Sequence, residues 1–597
     1  MGYRPIRART APTQSQTSTM APKGVNKHDA PQFLKLDQAQ VIDNYLITSI
    51  GRLRMRKGLE RVLSIASGPG TLLQQFVNNQ IFIFAYDDKV AAYDQNTDAV
   101  TTIHTFSEQS AYEGKRYGDY FFITNKLEKI GRISRTLTYG SQSGNFTAGT
   151  VITGGTSGAT AIILQDADSG TTGTLTLGSV VGTFSNGEII TDTGSGSATT
   201  TSVLTWTYTT ITDAPICQNL TIANNRLIAV SPSDNPSGVA YSAIDDGSNP
   251  PFGTWTPGTD ADDPDVVYSR NIGMALSAET IGSNIVVFGE TGKFAFTIDT
   301  ITVGSDLKKV NNFAIDRRDF GGCRAATLTA RGLLYANETG FWQLSSLGQP
   351  NIPFSDQEQN ITLDSLGDDY FSDVDLSNAD IVYDGQSNTA FLSCAKNSAV
   401  NNLIIAYNFD KKAVTTISGW NIARWMNVND DEIYGISALT TRVYKCFTGY
   451  DDDGNDISTT WIQETPGGLT GQNIFEGCYA SGFLSQGAPL TICFSIYNLS
   501  GDFEEDKRCL TWSANAAIKV PNGWGQQSWG SSFGGGSEAG PEGTVESFAG
   551  ERWPIRNFQR LITKVTYSGK QPHELTWIQT QIRNKGMIRR RNMVLNS

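Results

Sequence analysis

The sequence predicts an all-β protein: a β-propeller with a small inserted β-module, followed by a C-terminal β-sandwich or barrel. Three observations predict it. First, two stretches more than three hundred residues apart repeat one another, Tyr93-Asp94-Gln95-Asn96-Thr97-Asp98-Ala99-Val100-Thr101-Thr102-Ile103 and Tyr407-Asn408-Phe409-Asp410-Lys411-Lys412-Ala413-Val414-Thr415-Thr416-Ile417. Each copy follows an apolar run, Ile81 to Tyr86 or Leu403 to Ala406, so a unit of strand, polar turn and strand recurs, as in architectures whose units bury a face only against their neighbours. Second, 60 glycines, abundant Thr, Ser and Asn and 10% aromatic residues describe a turn-rich β protein, and long Ala/Leu/Glu/Lys periodic stretches are missing. Third, short apolar strands alternate with Asn/Asp/Gly turns over residues 61–139 and again over 206–455. Among them are Tyr120 to Ile123, Leu227 to Val230, Ile285 to Phe288, Leu333 to Tyr335, Ala390 to Ser393 and Val443 to Cys446.

The elements follow in order. Residues 1–60 read as an N-terminal arm and docking strand. The first thirty or so are rich in Thr, Gln, Ser, Pro and Lys, bury too little apolar surface to offset the entropy of ordering, and are expected to be flexible until partnered. From Gly51 to Gly58 apolar and basic residues alternate, which gives a strand one buried and one cationic face. Residues 61–139 and 206–455 supply the blades, enough for six or seven. Residues 140–205 interrupt them with a period of their own: Phe146, Gly149, Ile152 and Gly158 recur thirty-eight residues later as Phe184, Gly187, Ile190 and Gly196. This duplicated Gly/Thr-rich segment reads as a β-module inserted into a loop, where insertion costs little entropy. Residues 456–597 form a separate β-domain with strands around Leu490 to Tyr497, Ile562 to Tyr567 and Glu574 to Gln579. It contains a Trp/Gly-rich loop at 523–536 and a basic tail.

A formal charge of −13 argues against general adhesion to nucleic acid or anionic membranes. The seven cysteines are scattered without a CxxC pair, so their spacing indicates neither a disulfide framework nor a zinc site and fits synthesis in a reducing compartment. The N-terminus lacks the apolar segment of a secretory signal and no run of about eighteen apolar residues occurs, so no membrane insertion is expected.

Catalytic patterns are weak. Three histidines, His28, His104 and His573, stand far apart in sequence, so a His-based triad or metal centre would have to be built on a single one. The run Asp451, Asp452, Asp453, Gly454, Asn455, Asp456 has the look of a calcium loop, but Thr460 stands where the glutamate belongs, and a hairpin turn is the reading. The same holds for Asp260, Asp262, Asp263 and Asp265. Paired carboxylates in a propeller channel could cleave glycans, yet the Ser-x-Asp-x-Gly-x-Thr-Trp boxes of sialidase-like propellers are not repeated here. No enzyme activity and no cofactor are expected. Basic residues cluster at both ends: Arg52, Arg54, Arg56, Lys57 and Arg61, and Arg583, Lys585, Arg589, Arg590 and Arg591. In an acidic chain these read as docking surfaces for other protein subunits rather than for phosphate backbones.

The segment Asn44-Tyr45-Leu46-Ile47-Thr48-Ser49-Ile50-Gly51-Arg52-Leu53-Arg54-Met55-Arg56-Lys57-Gly58 resembles an opening common in tail proteins of short-tailed bacteriophages. The blades after it, the Trp/Gly loop and the Trp577-to-Arg583 ending are similar to the tail nozzle, or tail hub, family, which includes the packaged-DNA stabilisation proteins. The duplicated module is similar to repeats of phage structural proteins; its presence departs from the simplest family members. The resemblance implies a structural protein of the virion tail, assembled in the host cytoplasm. It implies a homo-hexamer attached to the adaptor ring beneath the portal, carrying tail fibres or spikes, closing the DNA channel and passing viral DNA without specific binding. The basic residues above would dock subunits or adaptor, and the acidic loops at 260–265 and 451–456 would face lumen or solvent. The alternative is a glycan-binding or glycan-cleaving receptor-binding propeller of the tailspike kind.

Overall fold

A computed structural model describes residues 13–585 except 19–22, 36, 66–67, 77–79, 246, 248–249, 270, 304–305, 316–321, 323–324, 346–357, 429–431, 465–471, 486–488, 499–500, 514–543 and 552–554. Strand accounts for 61% of the chain and helix for 2%, which places it in the all-β class. No helix among the described residues is long and apolar enough to cross a membrane.

Seven four-stranded antiparallel units follow one another along the described chain. Their first strands are Gly70–Gln75, Glu113–Tyr117, Asn219–Ala223, Ala275–Ile281, Ala326–Thr329, Val374–Asp384 and Ile422–Val428. Each first strand packs against the next, and the seventh packs against the first, so the units close a ring. The fourth strand of the seventh unit is Leu59–Ser64, from near the start of the chain, antiparallel to Arg442–Cys446. Residues 61–64 therefore belong to the last unit rather than the first.

The second strands explain why their sequences are continuously apolar. In Ile81–Tyr86, Phe82 and Phe84 pack towards Tyr434 and Ile436 of the seventh unit, while Ile83 and Ala85 pack towards Phe121 and Ile123 of the second. Successive side chains of a strand point to opposite faces, and here both faces meet a neighbour. The pattern continues around the ring: Phe122 with Leu227, Ile228 with Ile285, Val286 with Leu333, Leu334 with Leu392, and Phe391 with Ile433. The repeated Tyr-to-Ile stretches are the third-to-fourth-strand hairpins of the first and sixth units, ending in Ala99–Thr105 and Ala413–Ser418. Asp98 and Lys412, each just before the shared alanine, adopt the same left-handed backbone, φ 50° and 51°.

The inserted module lies between the third and fourth strands of the second unit, Gly131–Gly140 and Thr205–Thr210. It has its own core, in which Phe146 and Ile152 meet their repeat equivalents Phe184 and Ile190. The halves brace one another: the Glu188 carboxylate accepts from the backbone N–H of Thr156 and Ser157, and Asp192 accepts from the N–H of Thr147 and the Thr150 hydroxyl.

Residues 41–58 join the ring to the C-terminal strands. Val41–Asp43 runs antiparallel to Ile457–Glu464 and bridges in parallel to Thr416, so the sixth unit continues into the C-terminal sheet. Leu53–Met55 adds to His573–Lys585. One apolar cluster spans the junction, holding Val414 and Phe341 of the ring with Ile42, Tyr45, Trp461, Phe475 and Val565. At its margin Arg56, 1% exposed, grips both Asp452 oxygens at 2.8 and 2.6 Å and gives its Nε–H to Asn44 at 2.7 Å. Its guanidinium lies 4.3 Å from the Trp420 ring, whose Nε1–H also bonds Asp452. Gly58 is required beside it, because a Cβ there would stand 1.7 Å from the Asp451 carbonyl oxygen.

Two expectations change. The arm is not wholly unpaired in the single chain: Thr13–Ser18 forms a strand antiparallel to residues 578–583, since an open sheet edge offers hydrogen bonds even to a polar sequence. Cysteine spacing indicates no disulfide, yet Cys493 and Cys509 lie directly opposite on adjacent strands and are bonded. Register, not spacing, brings them together. Cys217, Cys394, Cys446 and Cys478 are buried and form no disulfide with one another, and Cys323 lies outside the described residues.

Removing one partner of the Arg56–Asp452 pair leaves a charge out of water without compensation, so Arg56→Met is expected to cost about 3–5 kcal/mol in urea unfolding. The double variant Arg56→Met, Asp452→Leu should recover much of that loss. Equal losses in single and double variants would show that the pair does not act as a unit.

Candidate functional site

The first strands of the seven units surround a cavity of about 780 Å³ on the ring axis. Second strands face neighbours on both sides, whereas first strands face the axis and tolerate polar residues there. In Glu113–Tyr117, Glu113 and Lys115 share the axial face because strand residues alternate. Gly114 between them backs onto Phe121, whose ring would lie 2.5 Å from a Cβ at that position.

Among the described residues, six charged ones line the cavity, the carboxylates Glu113, Glu279 and Asp380 and the cations Lys115, Arg116 and Arg424. Four of them pair between units. Lys115 of the second unit bonds Glu279 of the fourth at 2.8 Å, and Arg424 of the seventh bonds Glu113 of the second at 3.2 Å. Arg424 also donates to the Asn378 carbonyl at 3.1 Å, and the Asp380 carboxylate accepts the Trp425 N–H at 2.7 Å. Burial pushes the Asp380 carboxyl up to about 6, with Glu113 adding to the rise, against the opposing pull of Arg424 and the Trp425 N–H. Burial alone would lower the Lys115 ammonium, but Glu279, Glu113 and Asp380 together lift it above its ordinary value. The arrangement braces the ring from within and holds one carboxyl able to exchange a proton near neutrality, beside a second carboxylate, in a cavity of small-molecule size.

The residues singled out in the sequence lie elsewhere. Arg52 and Arg54 both pair with the buried Glu574, at 3.1 and 2.8 Å; Arg56 is buried against Asp452; Lys57 is exposed. Arg61 and Arg442 flank Asp453, at 3.6 and 3.7 Å. Arg583 and Lys585 sit on the last described strand, their side chains outside the described residues, as are Arg589, Arg590, Arg591 and the 523–536 loop. The 451–456 run is a tight turn: Asp452 and Asn455 exchange backbone hydrogen bonds, Asp453 and Gly454 have φ 51° and 86°, and Asp456 is exposed. In the 260–265 run, Asp260 pairs with Lys308, Asp265 lies 3.8 Å from Lys309, and the carbonyl oxygens of Ala261, Asp262 and Asp263 accept from Arg226.

The three histidines are held apart. His104 stacks on Tyr208 with ring centroids 3.8 Å apart, His28 lies against Gly367, and His573 is buried with its Nε2 2.9 Å from the Tyr45 hydroxyl. Burial drives the His573 imidazole down to about 3, so it is neutral in the fold.

Sequence reasoning passes over the axial residues because each is a single charge in a strand of ordinary appearance. The usable signal is the contrast between a mixed polar first strand such as Glu113–Tyr117 and the apolar Tyr120–Thr124 after it.

A carboxyl raised from 3.8 to about 6 favours the fold when protonated, and that contribution is lost as pH rises between those values. Relative to Asp380→Asn, the wild-type protein is expected to lose about 1.4 kcal/mol per pH unit across that window in urea unfolding. A stability gap that does not change with pH would show that Asp380 is ionised throughout. No protein-family model matches the chain, and no curated protein is detectably similar to it.

Proposed function

We propose that this chain is a structural subunit of the tail nozzle of a short-tailed phage. Its seven units form the blades of a β-propeller and its C-terminal strands a platform domain, six copies assemble into a tube, and the tube attaches through the adaptor ring to the portal. The tube closes the DNA channel of the particle, carries fibres or spikes on its flank and opens for ejection. The observation that carries the reading is the continuity of the ring with the C-terminal sheet through residues 41–64, which makes one stiff body from two β elements. A wall under internal pressure needs such a body.

The axial cavity supports the same reading from another side. Ion pairs cross it, and about 780 Å³ is far too small for a duplex, so a passage for DNA has to lie between copies rather than through one. With a net charge of −13, such a passage would repel phosphate and let DNA slide. One observation favours a second reading. A carboxyl near 6 beside Glu113 in a cavity of sugar size fits a glycan-binding or glycan-cleaving propeller.

Electron microscopy of the purified protein, alone and mixed with tail-less heads, is expected to show six-fold rings and their attachment to heads. Removing residues 586–597, which leaves the strand His573–Lys585 whole, should reduce attachment more than soluble yield. Solitary particles at all concentrations, together with turnover of host polysaccharide, would replace the nozzle reading with the second one.

A further inference from the structure

The strand Thr13–Ser18 is the feature of the fold least tied to the rest. Its sequence, Thr-Gln-Ser-Gln-Thr-Ser, has no apolar and no charged residue. It is held by a ladder to the final strand, Thr13 opposite Arg583 through Ser18 opposite Ile578. The body of the chain begins after it, at Lys23 to Val25, where Lys23 donates to the Asp37 carbonyl and Val25 enters the core. Ordering a residue costs about 1–2 kcal/mol, and a backbone hydrogen bond returns about 1 kcal/mol net, so such a strand is close to balance on any edge it joins.

The edge it joins is shared. Residues 574–575 of the final strand pair with Leu53–Arg54, and residues 578–583 are left for the arm. That edge is therefore a β-addition site matched in register and length to residues 13–18. A second copy presents the same edge.

We propose that residues 13–18 are exchanged between copies of this chain, each arm completing the edge at 578–583 of a neighbour. The ladder is identical within and between chains, so exchange sacrifices no contact, and each arm adds an attachment that a ring multiplies. The proposal rests on the reading that the chain assembles with itself.

The register supplies the test, because Gln16 and Thr580 are direct partners. Chains carrying Gln16→Cys alone and Thr580→Cys alone are mixed, allowed to assemble and oxidised, and run on a non-reducing denaturing gel. The double variant is treated in parallel, with native mass from light scattering. Exchange predicts covalent dimers in the mixture that are missing from either single variant, and a ladder of multimers in the double variant. A double variant that cross-links only within its own chain, at ring mass, overturns exchange and leaves the nozzle reading standing. The same internal cross-link at monomer mass overturns both. No cross-link of either kind shows that the arm does not occupy this edge and overturns the exchange.

Discussion

The whole architecture depends on one constraint: a strand from near the start of the chain, Leu59–Ser64, must complete the unit built at residue 446. Without it the strand Arg442–Cys446 keeps an open edge, and the apolar faces of the seventh and first units lose Leu63 from between them. The residues just before it impose a second closure, since Val41–Asp43 and Leu53–Met55 can pair with the C-terminal strands only if those strands have formed. Arg56 sits where the two closures meet and holds Asn44 of one turn and Asp452 of another. Its desolvation is offset only when Asn44, Asp452 and Trp420 are all in place, which ties the linker to the ring and to the turn that leads into the C-terminal sheet.

Much of the fold is legible in the sequence, for a physical reason. A strand buried on both faces must be apolar at every position, and runs such as Ile81 to Tyr86 and Leu403 to Ala406 declare themselves. The inserted module is legible because its two halves share core positions, Phe146 with Phe184 and Ile152 with Ile190. What the sequence hides is pairing between distant segments. Nothing local marks Leu59–Ser64 as the last strand of the ring, or sets Cys493 opposite Cys509, or directs Arg52 and Arg54 to Glu574. Each depends on register between strands, and register is set by the completed fold. The axial residues are hidden for the same reason, since Glu113, Glu279 and Arg424 come from separate units and meet only when the ring closes.

Opposite charges meet inside the chain at the acidic turns and on the axis. Cations near the acidic turns are engaged inside the chain, Arg56 by Asp452, Arg61 and Arg442 by Asp453, and Lys308 by Asp260. On the axis, three carboxylates face three cations.

Position also separates what must be stiff from what is free to vary. The inserted module leaves the second unit between its third and fourth strands, pairs Gly173–Leu177 with the third, and carries its own carboxylate braces. Its core takes in Leu137 and Tyr139 of that third strand, and it contains no Lys or Arg with which to compete for the carboxylates of its host. The arm has the opposite character: it has no core of its own and depends on an edge that the body supplies. An assembly built from this chain would thus gain rigidity from residues 41–64, surface variety from 140–205 and attachment from the arm.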